Sequence, residues 1–320
     1  MLGSAPNKQG NAMRRMWAGL GSILMGVGLV LGSTVGAWAQ NGLERFEKEL
    51  KPQLEFKSFT YKNPAPLGTS GFVLNDVVAV VPANAATGDK ETTVRIDKVT
   101  VEALDFDRMK EDAKDDEAPR FAKLKLEGMT GDDEMFTMLT PFGVPKVPFD
   151  IALDYTIDEK AKVLTLKMLE VSLRGQATLS LSLIMDGISD KSKAKDDGRL
   201  RVASLTIDDT GLLAKALPTI AKEEGAKPDD FVNTALMTLA GFAALQGPAT
   251  DKQLDAVASF VADWKAPKGP LVLGLKPAKT AGIDDLAKIM IPNALVDLFG
   301  FTATYSATKV GAAKAGAAKK

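Results

Sequence analysis

The chain predicts an α+β fold: a curved, mainly antiparallel β-sheet with a C-terminal helical insertion packed on it. Three observations carry this. Apolar and polar residues alternate with period two from Leu54 to Ile207, the period turns helical between Gly211 and Lys265, and strand patterning returns at Leu271. The expected organisation is an export signal over 1–39 and one β-rich domain over 40–306. Within it lie a β-rich part (54–208), a helical insertion (209–266) and a final strand-helix-strand (269–305), before a disordered Ala/Gly/Lys tail at 307–320.

At the N-terminus, Lys8, Arg14 and Arg15 are the only charges before an uncharged apolar run that starts at Met16. Ala37 and Ala39 stand at positions three and one before Gln40, the small-residue pattern read by signal peptidases, so cleavage after Ala39 is expected. The alternative is an uncleaved inner-membrane anchor, because the stretch from Met16 to Leu43 exceeds the roughly 20 residues a spanning helix needs. Six glycines, from Gly19 to Gly36, argue against a stable helix there. Loss of the three cations moves the formal charge from −1 to −4, so the mature protein lacks the basic excess that nucleic-acid binding requires. The chain has no cysteine, which excludes disulfides and a lipidated cysteine, and the expected location is the periplasm.

The clearest strands are Phe149, Ile151, Leu153, Tyr155, Ile157 and then Leu164, Leu166, Met168, joined by Asp158-Glu159-Lys160 as an antiparallel hairpin. In the next run Leu179, Leu181, Leu183 and Met185 face one way, while Thr178, Ser180 and Ser182 face the other. Earlier, Val94 and Ile96 keep one phase and Val99 and Val101 the opposite one, which predicts a bulge near Lys98. Pro82–Glu91, Asp107–Pro119 and Ser189–Gly198 read as solvated loops, and Asp132–Leu139 as a short helix.

Three helices are predicted at 211–224, 229–246 and 250–265, with Thr250 and Gln253 as a capping box on the last. Leu254, Val257, Ala258, Val261 and Trp264 form its apolar stripe. The middle helix carries no charge from Phe231 to Gln246 and is apolar all round. It reads as a core helix between the sheet and its neighbours, or else as one lining a hydrophobic-ligand groove or facing a membrane. A strand at Leu271–Leu275, a helix from Asp284 to Phe299 and an extended Phe301–Tyr305 complete the domain.

Histidine is absent, which removes the commonest metal ligand and every Ser-His or Cys-His nucleophile arrangement. The acid pairs Asp132-Asp133, Asp208-Asp209, Asp229-Asp230 and Asp284-Asp285 each open a predicted helix, where carboxylates accept orphan N–H groups and oppose the helix dipole. No calcium loop, Walker sequence, nucleophile elbow or dinucleotide fingerprint is present, and Ser306 to Lys309 is a chance Ser-x-x-Lys. No catalytic residue, metal ligand or cofactor is therefore expected.

The segment Leu205-Thr206-Ile207-Asp208-Asp209-Thr210-Gly211-Leu212-Leu213, followed by helices and then by Gly269 to Pro277, resembles exported β-rich envelope proteins of the AsmA-like group. The resemblance covers the last third of the chain. It implies a curved sheet with a greasy inner face, associated with envelope maintenance and lipid handling. The residues themselves support a non-catalytic periplasmic binder of a lipid or other hydrophobic molecule. The ligand-facing candidates are Leu179, Leu181, Leu183, Met185, Phe231, Leu236, Leu239 and Phe242. The alternatives are an envelope structural or protein-interaction factor with a solid core and, more distantly, a histidine-free hydrolase.

Overall fold

The computed structural model describes residues 41–84, 90–109, 119–136, 139–189 and 198–305. Ala37, Ala39 and Gln40, the apolar segment before Asn41, the Ser306–Lys309 motif, the tail and the middles of the three charged loops lie outside the described residues. Strands β1 (Ser58–Leu67), β2 (Gly71–Val81), β3 (Thr92–Leu104), β4 (Phe121–Gly131), β5 (Phe149–Asp158), β6 (Val163–Leu173), β7 (Ala177–Asp186) and β8 (Arg199–Asp209) form an antiparallel meander. It continues through β9 (Leu271–Leu275), while β10 (Ala281–Gly282) pairs with β8 and β11 (Thr302–Tyr305) pairs with β9 at the far edge. The architecture is the α+β sheet with a helical insertion that the sequence predicts.

The first half of the sheet is closed by a helix that the alternation pattern does not announce. Asn41 caps α1 (Gly42–Arg45) by accepting the Glu44 N–H at 3.0 Å, and the turns Phe46–Leu50 and Lys51–Gln53 extend it. Phe46 and Leu50 pack on Phe72, Leu74, Val77, Val94, Ile96, Val101 and Met129, and the Phe46 and Phe72 rings stack with centroids 4.4 Å apart. Each such buried side chain stabilises the fold by about 1.5–3 kcal/mol.

A crease crosses β2, β3 and β4. Buried positions change parity between Leu74 and Val77 on β2 and between Ile96 and Val99 on β3. The residues in between include Asp76 at φ 47° and, on β4, Gly128 at φ 67°. The bulge expected near Lys98 does not form: β3 keeps its register with β2 and β4 through Lys98, and its register shift falls between Val101 and Ala103. The change of face is instead shared by neighbouring strands, so the apolar side stays turned toward α1. Gly128 is required twice, because a Cβ there would also meet the Asp97 carboxylate.

At the other end of β3, Asp105 is 2% exposed and receives three hydrogen bonds from Arg120: from its backbone N–H, from Nε at 2.6 Å and from Nη2 at 2.8 Å. Burial pushes the carboxyl up, but the Arg120 hydrogen bonds and charge outweigh it and hold Asp105 below the usual carboxylate range. A depressed folded-state pKa gives stability that is present above the unfolded value, near 3.9, and lost as pH falls through the folded one. Asp105→Asn is accordingly expected to lower stability at neutral pH and to flatten the loss of stability below about pH 4, as read by denaturant titrations across pH.

The insertion comprises α3 (Leu212–Glu223), α4 (Pro228–Gln246) and α5 (Pro248–Ala262), close to the predicted spans. The Asp209 carboxylate accepts the N–H groups of Gly211, Leu212 and Leu213 at 2.7, 3.1 and 2.8 Å, so this acid pair does cap a helix. Asp209→Ala should cost about 1–2 kcal/mol in a chemical denaturation experiment. Asp285 caps likewise, accepting the Gly282 N–H at 2.8 Å. Asp132 instead accepts the Thr93 N–H across the sheet, and Asp229 pairs with Lys265.

Three further expectations are corrected. The Thr250–Gln253 capping box does not form, because Pro248 starts α5 two residues earlier and Thr250 is wholly buried in the first turn. Gln253 instead accepts the Ala303 N–H at 2.9 Å, so α5 covers the free edge of β11 where another strand would pair. The helix predicted at 284–299 is two pieces, a 3₁₀ segment (Ile283–Met290) and α6 (Ala294–Asp297), interrupted at Pro292 and at Asn293, which has φ 62°. Between β4 and β5, among the described residues, Asp133–Phe136 is helical (α2) and a separate 3₁₀ turn follows at Thr140–Phe142, with Asp132 and Leu139 outside both.

Candidate ligand-binding surface

Cross-strand partners share a face, so the register shows where the apolar side of the sheet runs. One row passes through Phe72, Val101, Leu124, Leu153, Leu169, Leu181, Leu205 and Leu273 on eight successive strands. A second passes through Leu74, Val99, Leu126, Ile151, Val171, Leu179, Ile207 and Leu271. Seven interstrand spacings make these rows about 34 Å long. Two shorter rows lie beside them, Tyr155–Leu166–Leu183–Ala203–Leu275 and Ile157–Leu164–Met185–Leu200.

The rows change environment along their length. At β2 and β3 they lie in the core beneath Phe46 and Leu50. On β6, β7 and β8 they are half-buried, and Leu179 is 38% exposed. Leu271 is buried again at β9. The open stretch carries no ionisable group in any of the four rows. Its reverse side is hydroxylated: Ser182 faces Ser204, Ser180 donates to Glu170 at 2.9 Å, and Ser172 and Thr178 share a 2.8 Å hydrogen bond. Contiguous open apolar surface bordered by polar groups is where a soluble protein meets a ligand or partner.

Leu179, Leu181, Leu183 and Met185 thus stand together on β7, at the centre of this surface. The equally central Leu169, Val171, Leu205 and Ile207 are missing from the sequence-derived candidates. On β6 the cause is a bulge at Lys167, where the pairing shifts between Asp154↔Met168 and Tyr155↔Leu166. Met168, which simple alternation puts on the apolar side, faces Asp154's side of the sheet, and Leu169 takes its place.

Phe231, Leu239 and Phe242 lie elsewhere. With Thr234, Ala235 and Thr238 they lie along one open side of α4 with no second wall, while Leu236 is half-buried outside it. The packing partners of α4 are α5 and α3, not β7, so the core helix read from its composition is instead a surface helix. Met237 and Leu245 on it are 68% and 46% exposed. The two candidate sets therefore form two surfaces rather than the walls of one cleft. Among the described residues no group of three or more acidic side chains gathers as a metal site, and no helix is long and apolar enough to cross a membrane.

The fold and this surface define an antiparallel single-sheet protein with one open apolar side. A family model described only as an uncharacterized protein matches residues 167–306, from within β6 through β11, which includes β7, β8 and the helical insertion. No curated protein matches the chain.

Proposed function

We propose that the protein is a non-catalytic periplasmic carrier that holds a lipid or another elongated hydrophobic molecule against β6, β7 and β8. The observation that carries this reading is the apolar side of the sheet, which is sealed by α1 at one end and left open in the middle. Covering it with an acyl chain removes apolar surface from water at about 25 cal/mol per Å², without any group having to be neutralised. The hydroxylated reverse side suits continuous contact with water. A fluorescent fatty acid is expected to bind saturably to solvent-extracted protein and to be displaced by unlabelled fatty acid; absence of saturable binding would overturn the proposal.

A second reading, an envelope interaction factor, draws on the same open side closed by a protein partner. Cross-linking from Ser182 on the reverse side and from Leu179 on the open side separates the two. A carrier gives no reproducible protein adduct at Leu179.

A further inference from the structure

We propose that the outward face of α4, together with the adjoining Met290–Ile291 turn, inserts into the surface of a lipid bilayer. The exposed side of α4 is uncharged from Asn233 to Leu245, and its exposed large apolar side chains are Met237 and Leu245. From Phe231 to Gln246 no residue is ionisable, yet the helix lies on the protein surface with Met237 68% exposed.

Gln246 extends the patch. Its side chain is wholly buried and donates to the Ile289 and Ile291 carbonyls at 2.7 and 3.0 Å. This fixes the end of α4, where Leu245 is 46% exposed, beside a turn that leaves Met290 and Ile291 59% and 52% exposed.

Beside the exposed Asn233, two further polar groups of the face are withdrawn from it. Thr234 and Thr238 lie on α4 between Phe231 and Phe242, and both turn their hydroxyls inward, to the Asp230 and Thr234 carbonyls at 3.0 and 2.9 Å. Such back-bonding satisfies a hydroxyl within its own helix, as a hydrocarbon environment requires. A protein partner would instead draw on outward donors at roughly one hydrogen bond per 100–200 Å². Charge selects the mode of binding. Asp229 at the start of α4 is paired with Lys265, and Lys288 in the 3₁₀ segment is paired with Asp285. Among the described residues no net basic cluster borders the patch, so insertion rather than attraction to anionic headgroups supplies the affinity. This inference stands whether or not the sheet carries a ligand.

Because the chain has no cysteine, single labels report on single positions. Met237→Cys, Met290→Cys and, at the distant β5–β6 turn, Lys160→Cys are each coupled to a polarity-sensitive fluorophore in the full chain. They are then mixed with phosphatidylcholine vesicles, with and without nitroxide-labelled acyl chains. The labels at 237 and 290 are expected to shift to the blue, brighten several-fold and be quenched by the nitroxide in low and high salt alike, while the label at 160 stays unchanged. No response at 237 and 290, the same response at all three positions, or a response that needs anionic lipid and disappears in high salt would overturn the inference. Since 237 and 290 are exposed in the folded protein, their substitution leaves folding intact, which circular dichroism verifies.

Discussion

Under the proposed carrier role, replacing Leu179 by aspartate is expected to abolish binding of a fatty acid while leaving the protein folded. Leu179 is 38% exposed in the free protein, so a carboxylate at that position stays hydrated and costs the fold little. Its row neighbours are Val171 and Ile207, and an acyl chain lying across them would bury the new charge without a partner. Desolvation of that kind costs at least about 2–3 kcal/mol, a loss of roughly 30- to 150-fold in affinity. The comparison variant is Ser182→Asp, which adds the same charge on the hydroxylated side and is expected to leave fatty-acid binding unchanged. Fluorescent fatty-acid titration of the two variants provides the check. Equal affinities would show that the ligand does not lie on this side of β7.

The second large effect concerns stability rather than binding. Gln246 is inaccessible to solvent and satisfies three backbone groups, the Ile289 and Ile291 carbonyls and the Leu295 N–H at 3.3 Å. Leucine fills a similar volume but leaves all three without that partner. The Leu295 N–H is buried and the two carbonyls part-buried, so at about 1–3 kcal/mol for a buried group deprived of its hydrogen bond and less for groups that water can reach, Gln246→Leu is expected to lose about 2–4 kcal/mol in chemical denaturation. The loss should be local first, with faster hydrogen exchange through 283–298 than in the meander strands. A variant as stable as the parent would mean that the 3₁₀ segment is held by other contacts.

These two residues also show what the sequence discloses. Leu179 belongs to a run whose alternation is unbroken from Ala177 to Met185, and an unbroken period assigns faces without knowledge of the partners. β6 has the same composition, but its bulge at Lys167 reverses the phase, and a bulge is settled by the pairing of two strands rather than by either alone. The change of phase at Lys98 was legible because apolar residues flank it on both sides. α1 was silent because so short a helix buries only Phe46 and Leu50 on its apolar side. α4 was legible as a helix but not as a surface one: a helix apolar all round is normally buried, and only the structure shows that α3 and α5 leave one side of it uncovered. In the sequence Gln246 merely closes the uncharged run of that helix, whereas its partners lie more than forty residues further along the chain.

The central claim, that the open side of β6–β8 carries a hydrophobic ligand, is tested most directly by native mass spectrometry of the protein purified from the cells that make it, before and after organic extraction. A discrete extra mass that leaves with the solvent and is missing from Leu179→Asp is expected. A bare polypeptide mass in the unextracted protein would contradict it.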